Sequence, residues 1–68
     1  MEFESNIIAA VRPLLQDNER AGFYNGSLFI EASENTARNI FHRLSKQIGL
    51  GRLSIVYTDG EYIIDFME

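Results

Sequence analysis

The order of patterns along this chain predicts an α+β fold: a two-layer αββαββ domain in which one antiparallel-rich four-stranded sheet carries two helices on one face. Three observations lead there. Two stretches repeat apolar residues at the 3.6-residue period of an amphipathic helix. One Asn-Gly and one Asp-Gly dipeptide each sit between alternating segments, the signature of a tight hairpin. The 68 residues contain no linker or low-complexity stretch, so residues 1–68 read as one small domain.

The first helix rests on Ile7, Ile8, Val11, Leu14 and Leu15, which fall on one stripe. Ser5 or Asn6 is the expected N-cap, with Glu2 and Glu4 at the end where the helix dipole favours acids. Pro13 interrupts the pattern on its solvent side, and the reading is one helix kinked there. The second helix follows from Ala37, Ile40, Phe41, Leu44 and Ile48, with Ser33 or Asn35 as N-cap, Glu34 in the first turn and Lys46 in the last. Gly49 stands where a left-handed C-cap belongs.

Asn25-Gly26 and Asp59-Gly60 suit type I′ turns, whose two central residues both need positive φ. The second turn sets Thr58 opposite Glu61, Tyr57 opposite Tyr62, Val56 opposite Ile63, Ile55 opposite Ile64, Ser54 opposite Asp65 and Leu53 opposite Phe66. Leu53, Ile55, Tyr57, Tyr62, Ile64 and Phe66 then share one apolar face, which a one-residue slip would destroy. The first turn pairs Tyr24 with Ser27 and Phe23 with Leu28, and directs Phe23, Leu28, Ile30 and Ala32 to the core. Its first strand is expected to be short, with Ala21 and Gly22 ahead of it. Gly26 and Gly60 lie 34 residues apart in a chain of twice that length, which suggests a pseudo-repeat. Laying one half over the other sets Phe23 on Tyr57, Ile30 on Ile64 and Glu31 on Asp65, with little identity elsewhere.

Composition narrows the function classes. A hydrophobic fraction of 46% with 24% charged residues is ordinary for a globular chain. No apolar run reaches the ~18 residues of a membrane span, and the N-terminus is acidic where a signal peptide is basic, so the expectation is a cytoplasmic protein with no membrane partner. With no cysteine and one histidine, no structural zinc site is expected. No nucleophile stands beside a base, and Gly49-Leu50-Gly51 is too short for a nucleotide-binding loop. The chain therefore reads as non-enzymatic, with no catalytic residue, cofactor or metal.

Two surfaces remain as candidates. Tyr24, Phe29, Val56 and Ile63 project from the sheet's outer face among Ser54, Thr58, Glu31, Glu61 and Asp65, where a solvated face should be more polar. They are the candidate partner-binding residues of a small adaptor, inhibitor or assembly component. The partner is a protein, with a second copy of this chain among the expected ones: a chain this short gains from association, and a two-fold contact uses one patch twice. The alternative is nucleic-acid binding. Residues 35–58 carry Arg38, His42, Arg43, Lys46 and Arg52 with no acid among them, the footprint of a phosphate-tracking face, although the net charge of −4 opposes a polyanion. Tyr57, Tyr62 and Phe66 are read as core rather than as base-stacking aromatics, because their face is the one apolar enough to hold two helices.

Overall fold

In a computed structural model that describes residues 2–67, the elements run α1 (Glu2–Val11), β1 (Arg20–Tyr24), β2 (Ser27–Glu31), α2 (Glu34–Ile48), β3 (Leu53–Thr58) and β4 (Glu61–Phe66). Short 3-10 turns, Arg12–Leu14 and Leu50–Arg52, follow the two helices. The fold is α+β, with one four-stranded antiparallel sheet in the order β1-β2-β4-β3. β2 and β3 therefore run the same way with β4 between them, and α2 is the crossover that joins them. Ile7 and Val11 of α1, Ile40 and Leu44 of α2, and Leu28, Ile30, Leu53 and Ile64 of the sheet form one buried cluster, so both helices close over the same sheet face.

Both hairpins take the expected form. Asn25 and Gly26 have φ of 53° and 81°, Asp59 and Gly60 51° and 80°, as a type I′ turn requires. Every cross-strand pair expected from the two turns is present. Ser33 caps α2 by accepting the Thr36 N–H at 3.2 Å, and Glu34 and Lys46 occupy its first and last turns.

Several local expectations give way. The helix α1 starts at Glu2, so Ser5 and Asn6 lie inside it rather than capping it. Its first turn is held by Phe3, whose ring lies 5.4 Å from Phe66 and 6.5 Å from Phe23, and this tertiary anchor outweighs the local capping preference. The Glu2 side chain lies outside the description. At Pro13 the chain does not kink within one helix. Pro13 has no N–H to return to the Ala9 carbonyl and its ring crowds that carbonyl, so α1 ends at Val11 and tightens into the 3-10 turn. Gly49 has positive φ (118°), but ψ is 130°, extended rather than left-handed helical, and the chain passes directly into the second 3-10 turn. β1 is not short: Ala21 and Gly22 belong to it, opposite Ile30 and Phe29. Tyr57 shares the inner face yet is 63% exposed, because it stands near the turn end of the edge strand β3, with Tyr62 against its ring at 4.8 Å.

The ladder has the symmetry that the turn spacing suggests. A shift of 34 positions carries the β1–β2 register onto that of β3–β4, and it exchanges the pairs Leu28–Ile64 and Ile30–Tyr62, leaving Phe29–Ile63 on the axis. The helices follow with a one-residue slip, since buried Ile40 and Leu44 match buried Ile7 and Val11 at a shift of 33.

One contact that no local pattern announces ties the halves together. Glu19, in the loop before β1, accepts the N–H of Gln16 at 2.8 Å and of Ser33 at 3.0 Å, joining that loop to the cap of α2. These backbone donors, first Ser33 and then Gln16, hold its carboxyl below the ordinary carboxylate range.

Candidate protein-binding face

Alternation along the strands sends every second residue away from the helices. On that outer face the registers align Gly22, Phe29, Ile63 and Val56 as one row across all four strands. The expected apolar residues are thus neighbours. Tyr24, one pleat further along β1, turns its ring edge-on to Phe29 at 5.9 Å. Tyr24 is 68% and Val56 52% exposed, while Phe29 and Ile63 in the two central strands are half-covered by their neighbours. The patch therefore has two recessed residues at its centre and two projecting ones at its ends.

Polar rows border it on both sides. Towards the hairpin turn of β1 and β2 lie Ser27, Asp65 and Ser54, with the Ser27 hydroxyl donating to the Asp65 carboxylate. Towards the other side lie Arg20, Glu31, Glu61 and Thr58, where Arg20 approaches Glu31 at 3.9 Å, a long and exposed pair worth little. The rim is acidic: Glu31, Glu61 and Asp65 against one arginine. Gly22 leaves the β1 end of the row without a side chain, and a shallow notch opens there between Phe29, Glu31 and Glu61.

The basic residues of residues 35–58 do not form one surface. Asn39, His42, Arg43 and Lys46 fall at helical spacing on the exposed side of α2 and line a shallow depression with Leu14. Arg38 is engaged by Glu34 one turn earlier at 2.9 Å. Arg52 lies elsewhere, beside Phe3, Ile48 and Phe66. Of the five expected residues, Arg38, His42, Arg43 and Lys46 lie along the exposed side of α2, and Arg52 does not.

Among the described residues no three acidic or histidine side chains gather as a metal would require, and no helix is long and apolar enough to cross a membrane. No family model, curated protein or solved structure matches the chain.

Proposed function

We propose that this chain is a non-enzymatic protein-binding module, an adaptor, inhibitor or assembly component, that acts through the outer face of its sheet. The observation that supports it is the unbroken row of Phe29, Ile63 and Val56 with Tyr24 packed on its end. An apolar row of this kind on a solvent face is what binding surfaces expose and what solvation does not require. The rim selects the partner. Glu31, Glu61 and Asp65 around an apolar centre favour a protein that presents an apolar patch ringed by Lys or Arg, since complementary potential raises the association rate and suppresses wrong partners. A second copy of this chain placed on the same face would meet the same acids, and it is the other occupant that the experiment decides.

The test compares three proteins as bait in the source cell extract and, separately, in size exclusion with light scattering. The parent is expected to retain a partner that Phe29→Asp with Ile63→Asp loses, and that Glu61→Lys with Asp65→Lys also loses. A dimer abolished by the Phe29→Asp, Ile63→Asp variant would assign the face to self-association. Equal capture by all three proteins would sink the reading.

A second reading rests on the cluster of His42, Arg43 and Lys46 with Asn39: weak nucleic-acid binding along α2. Arg43 and Lys46 neutralise few phosphates, so log affinity should fall against log salt with a slope of about −2. A gel shift at two salt concentrations, abolished by Arg43→Ala with Lys46→Ala, would favour it.

A further inference from the structure

The sheet has two open edges, and the one at β1 is built differently from the one at β3. Under the 34-residue shift, Ala21 and Gly22 stand where β3 has Ile55 and Val56, so the β1 edge lacks the side chains that crowd its counterpart. Beside it runs an open groove between β1 and α1, walled by Glu4, Ser5, Ile8, Ala9 and Arg12 on the helix side and by Ala21 and Phe23 on the strand side. The strand carries none of the devices that blunt an edge: no proline, no bulge in its one-to-one register, and one charge, Arg20, at its start. In a two-residue hairpin the pair closing the turn exchanges both hydrogen bonds and the pattern then alternates, so Tyr24, Gly22 and Arg20 bond to β2. Ala21 and Phe23 point their N–H and C=O groups outward.

We propose that two copies of this chain join edge to edge through β1, antiparallel about a two-fold axis that passes through Gly22 perpendicular to the sheet. This contact leaves the outer row of Phe29, Ile63 and Val56 free and takes up only Tyr24 at its end. The register satisfies each requirement at once. Ala21 of one copy meets Phe23 of the other, both with outward hydrogen-bonding groups and both with side chains on the inner face. Gly22 meets Gly22, where paired backbones approach most closely. Arg20 meets Tyr24 on the outer face, a cation over an aromatic ring. The helices fit as well. Each helix covers about two strands spaced ~4.8 Å apart, so the two α1 helices come to lie ~10 Å apart, the distance at which helices pack.

Charge then fixes the orientation. Glu4 and Arg12 stand four residues to either side of Ile8 on the groove wall, and neither has an ion-pair partner among the described residues. The two-fold sets Ile8 against Ile8 and places Glu4 of each copy against Arg12 of the other, while small Ser5 and Ala9 let the helices approach. A 68-residue chain without cysteine gains the burial that its own core lacks.

Charge exchange tests this outside the core cluster, and circular dichroism of each variant checks that the fold persists, since both exchanges run against the α1 dipole. Light scattering of the parent at ~100 μM should show a dimer. Glu4→Arg alone and Arg12→Glu alone should each raise the dissociation constant at least about tenfold, each by setting like charges together. Mixing the two variants should restore a heterodimer, since every Glu4–Arg12 position then holds opposite charges. The Ala21 and Phe23 amides should exchange slowly in the dimer and quickly in either single variant, while Phe29→Asp with Ile63→Asp leaves the dimer intact. A parent that is monomeric at this concentration, single variants that dimerise as the parent does, or a mixture that stays monomeric overturns the proposal. A monomer whose Ala21 and Phe23 amides are protected only by an added extended peptide would assign the groove to a foreign strand instead.

Discussion

Phe29 and Ile63 face each other across the two central strands, on the axis that exchanges the halves of the ladder. Gly22 and Val56 extend the row on either side, and the alternation counted from each turn makes Phe29–Ile63 a pair without mutual backbone bonds, the kind whose side chains stand closest. Their coupling is measurable. A double-mutant cycle on Phe29→Ala and Ile63→Ala, read by urea unfolding, should return about 0.2–1 kcal/mol of interaction, the range of aromatic and β-branched cross-strand pairs. A coupling of zero would mean that the two side chains do not form one patch.

Leu44 is fully buried in the cluster that joins both helices to the sheet, while Arg43 beside it in sequence is exposed. Leu44→Ala should cost about 2–5 kcal/mol through lost contact and residual cavity. A domain of this size has roughly 3–5 kcal/mol to lose, so the variant should lose most of the parent's stability, read as a large drop in urea midpoint at 25 °C. Arg43→Ala should stay within about 0.5 kcal/mol of the parent.

Two glycines should respond to alanine with opposite signs. At Gly60, φ is +80° and an added Cβ meets no atom within 4 Å, so the cost is purely conformational, about 1–2 kcal/mol. Gly22 is equally open but lies in an extended strand without positive φ, so Gly22→Ala should stabilise the folded monomer by about 0.4–1 kcal/mol by restricting the unfolded chain. Thermal melts of both variants in one buffer decide the signs.

How far the sequence could be read depended on the range of the forces involved. Asn25-Gly26 and Asp59-Gly60 dictate their turns from within two residues, and the alternation around them carries the register, so both hairpins and the outward assignment of Tyr24, Phe29, Val56 and Ile63 were legible. Whether those residues adjoin was not, because that depends on β2 pairing with β4, a contact between segments far apart in the chain. With β2 and β4 central, Phe29 meets Ile63; with either at an edge, the same outward residues would have been scattered. The start of α1 is not legible for a similar reason, since Phe3 is fixed by rings on β1 and β4 rather than by its own neighbours. Basic residues close together in sequence diverge because α2 ends at Ile48, and the following turn sets Arg52 beside Phe3 and Phe66 instead of on the helix face with Arg43 and Lys46.

Glu19 makes the remaining prediction one of pH. Its carboxylate gathers the Ser33 and Gln16 N–H groups, and the depressed pKa that results means the folded state prefers the ionised form. A carboxyl whose folded pKa lies below its unfolded value contributes stability above the unfolded value, about 4.3 for Glu, and loses it as pH falls through the folded value. Glu19→Gln has no charge to lose and offers the two N–H groups a single amide oxygen. The parent should therefore be the more stable protein at pH 7, with the gap in urea midpoint narrowing steadily below pH ~4 as Glu19 takes up its proton. A gap that is unchanged between pH 7 and pH ~2.5 would show that the staple acts through its shape and not through its charge. Titration of the Glu19 side-chain carbon by NMR in the folded protein fixes the pH below which the narrowing should be complete.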